Sequence, residues 1–423
     1  MTWAWPERPR RVVVTGMGAL TAVGNDVAST WDGLVAGRSG IERITHFDPA
    51  RVDSQVAAEV KGFDPSGILD RKEMRRTDRY IQFALVCARQ ALDSAGLPGR
   101  LDDAMAARSG VVIGSGLGGV STLFENVLLM AERGPDRISP FFIPMGIANV
   151  GAGQVAIACG AVGPNFATVS ACATGGHAIG EAWEMIRRDD ADLMIAGGVE
   201  AGIHEATVGG FASMKALSTR NDDPHAASRP FDRGRDGFVI GEGGGVLILE
   251  ALEHAEARGA APLAELVGYG ATADASHITL PAPGGIGAVR AARRALDKAG
   301  LAPSDIDHVN AHATSTAEGD KAELQAIRAV FGEHAPRVAV TANKSMLGHT
   351  LGAAGAIEAI ATILALRDGV VPPTINLEAP DEYAEGLDLT PNRATRRDLR
   401  AAVSNSFGFG GQNTALVFRR WDG

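Results

Sequence analysis

Two ten-residue segments half a chain apart are nearly the same: ARQALDSAGL at 88–97 and ARRALDKAGL at 292–301. They agree at eight of ten positions, at an offset of 204 residues. Each reads as an amphipathic helix closed by a glycine cap. Each also precedes a short polar loop and then a strand-like run, so duplication explains the match better than chance between two common helices. One α/β unit is therefore expected twice, with the seam near 258–262 and the chain divided into 1–260 and 261–423.

Alternation along the chain agrees with this. Strand-like runs stand at 11–16, 109–116, 166–170, 191–198 and 244–250, and again at 262–270, 308–312, 337–344, 401–406 and 413–419. Helical stretches at 79–95 and 174–188 lie between the first five. Such a pattern predicts an α/β fold of helices packed on sheets.

The net charge of −10 argues against a nucleic-acid or anionic-membrane partner. Three cysteines cannot all pair, and no CxxC occurs, which suits a reducing, cytoplasmic setting. The opening MTWAWPERPRR is not followed by an apolar stretch long enough for a signal peptide. Residues 138–180 hold no Asp, Glu, Lys or Arg, yet Pro140, Pro144 and Pro164 preclude an apolar spanning helix. That segment is expected to be buried against protein, in the core or at a subunit interface.

Four residues carry the chemistry. Cys172, in TVSACATGG, falls where a strand-like run meets an amphipathic helix. Free amides and the helix dipole there favour a thiolate, lowering a thiol from its usual value of about 8.5. Cys87 and Cys159 lie in apolar stretches and read as small buried side chains. His312 follows the run DHVNAH, at the strand end where open α/β sheets keep ligands. His308 and His312 are spaced for zinc only on a helix, not on a strand. Lys344 and His349 bracket SMLG ahead of a helix that is apolar on nearly every side. The lone charge of that helix, Glu358, needs a partner. Asn310, Ser404 and Asn405 offer oxygen atoms for a monovalent cation, K+ or Na+, beside it, and simple hydrogen bonding of the carboxylate is the equal alternative. SFGFGGQN sets Phe407 and Phe409 among glycines, as a mobile aromatic gate requires. Gly114, Gly116 and Gly119 spell G-x-G-x-x-G, but the segment that follows, RISPFFIPMG, is a poor parallel strand, so a dinucleotide site is not expected.

Taken together, VSACATG, ASRPFDRGRDGFVIGEGGG, VNAHATST, NKSMLGHTLGAAGAIEA and NSFGFGGQN resemble the elongating type II β-ketoacyl-acyl-carrier-protein synthases, most of all their actinobacterial members. The likeness covers essentially the whole chain. Departures are mild: Ala313 replaces a common Gly, and Ala317 a frequent Pro. The resemblance implies a thiolase-like fold, two βαβαβαββ halves layered α-β-α-β-α. It implies Cys172 as nucleophile, with the amides of Cys172 and Phe409 as oxyanion hole. His312 and His349 would hold an enolate, Lys344 would set their protonation, and Phe407 and Phe409 would form the gate. By that likeness a pair of histidines sets the chain apart from the initiating synthases, which carry a His and an Asn, and a His where degradative thiolases carry a second cysteine implies decarboxylative condensation. Thr314 and Thr316 would bind the phosphopantetheine arm. Leu117, Phe211 and Phe409 would line the acyl pocket, with Phe142 entering from a partner subunit.

No cofactor is required by this likeness. The implied partner is an acidic acyl carrier protein, so Arg71, Lys72, Arg75, Arg76 and Lys215 are the expected docking cations. The expected assembly is a homodimer extending fatty acyl chains by two carbons. The alternative is the catalytic subunit of a type II polyketide synthase, paired with a cysteine-less chain-length factor. A scaffold lacking catalysis is disfavoured by the joint presence of Cys172, His312, Lys344 and His349.

Overall fold

The computed structural model describes residues 9–423. Most of the opening MTWAWPERPRR, where no leader is expected, lies outside the described residues. Ten strands build the core: β1 (Val12–Leu20), β2 (Ser109–Gly114), β3 (Asn165–Phe166), β4 (Leu193–Glu200), β5 (Gly243–Ala251), β6 (Ala264–Ala273), β7 (His308–Asn310), β8 (Ala339–Thr341), β9 (Ala401–Gly408) and β10 (Gln412–Arg420). Their order is β8-β7-β9-β10-β6-β1-β5-β4-β2-β3.

This order is its own mirror about the β6–β1 junction. Adding five to each strand number of the first half gives the second. Directions repeat too: β1–β5 and β5–β4 are antiparallel, β4–β2 and β2–β3 parallel. Likewise β6–β10 and β10–β9 are antiparallel, β9–β7 and β7–β8 parallel. Among the described residues, the two five-stranded halves are joined as strands by the pairs Val13–Glu265 and Val14–Ala264 alone.

Six helices complete five layers: α1 (Arg79–Ser94), α2 (Val150–Cys159), α3 (Thr174–Arg187), α4 (Ile286–Ala299), α5 (Ala317–Phe331) and α6 (Ala354–Asp368). α1 and α2 cover the outside of the first sheet; α4 covers the second, with α5 against α4. α3 and α6 lie between, each touching strands of both halves. That position explains why α6 is apolar all round: every residue from Ala354 to Leu366 is buried. The repeated decapeptides sit on α1, after β1, and on α4, after β6. Both helices end the same way, with Gly96 and Gly300 at φ 67° and 63°, and Leu97 and Leu301 donating back to Leu92 and Leu296.

One expected strand is cut short. The β-branched run 166–170 favours a strand extended up to the nucleophile, but β3 stops at Phe166. Beyond it the polar groups turn to the next helix: Thr168 Oγ1 donates to the Thr174 carbonyl at 2.9 Å, and the Ser170 amide donates to Thr174 Oγ1 at 2.9 Å. Those bonds replace a ladder and bend the chain into α3. Elsewhere in 138–180, Ala152, Val155, Cys159, Ala178 and Ile179 are buried core, as expected, while Ile143, Ile157, Val162 and Val169 are exposed, so the uncharged segment is part core and part apolar surface.

Candidate active site

Cys172 occupies a single turn, Ala171–Ala173, that leads into α3. Ala171 takes φ 49°, a left-handed conformation unusual for a residue with a side chain. Strain of this kind persists where packing over-determines the backbone. Here Gly408 at the end of β9 presses on the turn: a Cβ there would stand 2.6 Å from the Ser170 carbonyl oxygen. The following residue, Phe409, directs its amide at the Cys172 sulfur.

The thiol opens into a cavity of about 560 Å3. His312, His349, Phe407 and Phe409 line it beside Cys172, so residues far apart in sequence converge on one sulfur. Leu117 and Phe211 line the same space, as do Thr314 and Thr316, whose hydroxyls are 3.0 Å apart. The rings of Phe211 and Phe409 are 6.4 Å apart. Phe142 does not line this chain's cavity; it starts the short helix Phe142–Gly146. Lys215 stands at the rim, and Arg71, Lys72, Arg75 and Arg76 are exposed on and after the helix Arg71–Met74.

The electrostatics correct one expectation. Burial pushes the Cys172 thiol up to about 12, opposed by the Lys344 charge and by the Phe409 amide. The residue is only half-buried, because the cavity reaches it, yet protein surrounds the sulfur. Charge separation in that low-dielectric wall outweighs the helix amides, and the resting group is a thiol.

The imidazoles are 5.4 Å apart, centroid to centroid, and nearly perpendicular. Burial, together with the Lys344 charge, holds both well below 6.5, so both are neutral at pH 7. Lys344 lies behind them, 2 % exposed, with Nζ 3.5 Å from His312 Nδ1. An ammonium can only donate, so Nδ1 accepts and the His312 proton resides on Nε2. The second partner of Lys344 is Glu358, which resolves what that buried carboxylate pairs with.

Asn310, Ser404 and Asn405 surround the same region but do not donate to the Glu358 carboxylate. Asn310 Nδ2 donates instead to the Glu358 main-chain carbonyl at 3.0 Å, and Asn405 Nδ2 to Glu323 at 3.2 Å. Asn310 Oδ1, Glu358 Oε2, Ser404 Oγ and Asn405 Oδ1 are buried without a partner among the described residues. Four orphaned oxygens of this kind suit a hard monovalent cation. His308, by contrast, donates from Nδ1 to the Ala339 carbonyl at 2.8 Å, and no cluster of His, Cys, Asp and Glu able to hold a metal occurs among the described residues.

The Beta-ketoacyl synthase N-terminal domain matches residues 9–255, and the Beta-ketoacyl synthase C-terminal domain matches residues 263–378. The chain belongs to the β-ketoacyl synthase family. This β-ketoacyl synthase is 49% identical over 411 residues to 3-oxoacyl-[acyl-carrier-protein] synthase 2 of Coxiella burnetii, covering 97% of this chain and 99% of that protein. It is 50% identical over 413 residues to the synthase 2 of Staphylococcus aureus strain N315, covering 98% and 99%. Among solved structures it resembles a Beta-ketoacyl synthase from Burkholderia phymatum STM815, with TM-score 0.90, 38% identity and coverage of 97% and 100%. It also resembles a ketosynthase bound to its type II PKS acyl-carrier protein, with TM-score 0.89, 36% identity and coverage of 98% and 100%. It is a condensing acyltransferase with the thiolase-like fold.

Sequence reasoning passed over several groups that hold this synthase's site together. Glu323 accepts from the amides of His312 at 2.9 Å and Ala313 at 2.6 Å, fixing the turn that carries the first histidine. The signal was there: Asp320 and Glu323 fall on the buried stripe of α5, where an acid needs a reason. His349 is held by its main chain to the opposite segment, its amide donating to the Val239 carbonyl at 2.7 Å, while its ring packs on Phe238. Nothing local in the sequence announces that pairing.

Proposed function

We propose that Cys172 carries an acyl chain as a thioester and that His312 and His349 stabilise the enolate that extends it. One observation carries this reading: a thiol with two amides aimed at it shares an apolar cavity with two neutral imidazoles. In the first half-reaction the Cys172 sulfur attacks an acyl-carrier thioester. Amides of Cys172 and Phe409 receive the developing oxyanion, and the pantetheine thiol leaves with the proton. Malonyl-carrier thioester then loses CO2, and the enolate oxygen accepts from Nε2–H of both histidines. Its carbanion attacks the acyl carbonyl, the carbon–sulfur bond to Cys172 breaks, and a 3-oxoacyl thioester two carbons longer departs. Leu117, Phe211 and Phe409 would bound the acyl chain, with Phe407 and Phe409 as gate and Thr314 and Thr316 on the pantetheine.

Identity near 50% to synthases that act in 3-oxoacyl formation favours fatty-acyl elongation. The 36% likeness to a polyketide ketosynthase supports a second reading, a catalytic subunit beside a chain-length factor. Mass spectrometry with a panel of acyl-carrier thioesters plus malonyl-carrier protein tests both. The elongation reading expects a single two-carbon extension on each primer. A series of unreduced polyketide products, formed only with a partner subunit, would reverse the choice.

For the partner, we propose that an acidic carrier protein docks on Arg71, Lys72, Arg75 and Arg76, with Lys215 at the cavity rim. Arg75→Glu with Arg76→Glu should raise the KM for carrier-bound substrate about tenfold. Small thioester analogues should be unaffected; an equal rise for both would defeat the patch. The exposed apolar side chains of 138–180 and the edge strand β3 support a homodimer through that face, with Phe142 entering the partner's cavity. We take 1–260 and 261–423 as the duplicated units. No helix among the described residues is long and apolar enough to cross a membrane. With three free cysteines, that supports a cytoplasmic setting.

We also assign K+ or Na+ to Asn310, Glu358, Ser404 and Asn405. The ion would offset the carboxylates beside Lys344 and stiffen the wall behind His312. Exchange into tetramethylammonium buffer should lower the melting temperature by several degrees, with recovery on adding K+. An unchanged melting curve would remove the cation from the account.

A further inference from the structure

The fourth strand ends on a buried acid that the mechanism above does not use. Glu200 is wholly buried, and no cationic side chain pairs with it among the described residues. Four donors surround it instead. Oε1 accepts from Ser115 Oγ at 2.7 Å and the Leu117 amide at 3.1 Å; Oε2 accepts from the Gly116 amide at 2.8 Å and the Gly352 amide at 2.9 Å. Ser115 Oγ already accepts from the Gly118 amide, so its proton is free for Glu200. Every neighbour donates, which calls for a carboxylate with all its lone pairs in use.

The fold's internal symmetry says what this nest is. The turn Ala171–Ala173 opens α3, and the turn Leu351–Ala353 opens α6. Ala171 and Leu351 share the same φ of 49°, so Gly352 is the counterpart of Cys172. The end of β9, Gly408, packs on the Cys172 turn; the end of β4, Glu200, packs on the Gly352 turn. In one half, amides point at an open cavity where an oxyanion forms. In the other, the equivalent amide of Gly352, joined by the amides of Gly116 and Leu117, is filled by the protein's own carboxylate. Gly116 and Gly352 leave room for it: a Cβ on either would come within 2.8 and 2.7 Å of Oε2.

The clamp joins two parts of the working site. Leu117 lines the cavity, and Gly352 lies three residues beyond His349 on the same turn. We infer that Glu200 is a positioning residue, an internal anion in the symmetry-related oxyanion nest that fixes the Leu117 wall against the His349 turn. The inference rests on the acyl-carrying role of Cys172.

Glu200→Gln and Glu200→Ala test it, each measured for Cys172 acylation by intact mass, for kcat and KM of condensation, and for product chain length. Gln presents an NH2 to amides that only donate. Acylation should persist, because the Cys172 and Phe409 amides are untouched. The condensation kcat should fall about tenfold or more with KM for malonyl-carrier protein nearly constant, and the chain-length profile should broaden. Formate, but not formamide, should restore part of kcat to Glu200→Ala. Wild-type kcat and profile in a folded Glu200 variant, or equal rescue by both additives, overturns the proposal. Should neither variant fold, Ser115→Ala removes one donor and is expected to lower kcat about threefold with acylation intact; unchanged rates there overturn it equally. Failure of the parent protein itself to acylate in the same assay would instead sink the reading of Cys172.

Discussion

A Cys172→Ala variant should gain no mass from an acyl thioester, while the parent protein gains one acyl group. Condensation should fall by at least about 10⁴-fold, since the covalent intermediate is removed rather than destabilised. Malonyl thioester should still lose CO2 in that variant, because the enolate's hydrogen-bond donors, His312 and His349, remain. His349→Ala should behave in the opposite way, accepting the acyl group yet failing to condense. The two variants together separate the half-reactions. An alanine at 172 that still became acylated would show that another group is the nucleophile. A His349→Ala enzyme that condensed normally would show that one imidazole suffices.

Lys344→Ala is expected to cost both stability and rate, for different reasons. Lys344 and Glu358 are each 2 % exposed and paired, so deleting the lysine strands a buried carboxylate. Such a loss costs about 3–5 kcal/mol. It also releases His312 Nδ1 from its donor, letting the proton settle on Nδ1 and turning the Nε2 lone pair toward the cavity. The enolate then meets an acceptor, and condensation should drop about 10²–10³-fold. Lys344→Met with Glu358→Gln separates these effects. Neutralising both partners should return most of the stability, as measured by thermal unfolding, but not the rate. If the double variant condensed at the parental rate, the tautomer argument would fail. If it stayed as unstable as Lys344→Ala, the stranded charge would not be the cause.

The four side chains proposed to react, Cys172, His312, Lys344 and His349, are legible in the sequence because each stands in a short distinctive run beside small residues. That is a local pattern. Duplication was visible for a similar reason: a helix that must cap the same way and cover the same strand pair keeps the same letters. The state of the thiol was not visible. Helix position alone argued for a lowered pKa, whereas the protein mass around Cys172 raises it, and burial is a property of the packed whole. The run 166–170 misleads because β-branched residues favour extension, whereas the hydrogen bonds of Thr168 and Ser170 to Thr174 turn the backbone away. The partner of Glu358 also lay hidden, fourteen residues back across a turn at Lys344, while nearer-looking amides serve other atoms. Glu200 escaped notice because an acid in a sequence reads as surface until amide donors from elsewhere surround it.

What the order of amino acids specified was the chemistry to be used and the repeated unit that would carry it, since side-chain type and periodicity are written residue by residue. What awaited folding was the proton on His312, the charge state of Cys172 and the filling of the second nest by Glu200. Each of these depends on dielectric surroundings and on groups remote in sequence: Lys344 for His312, Lys344 and Phe409 for Cys172, and Gly352 for Glu200. Those terms have no value until the two halves close around α3 and α6.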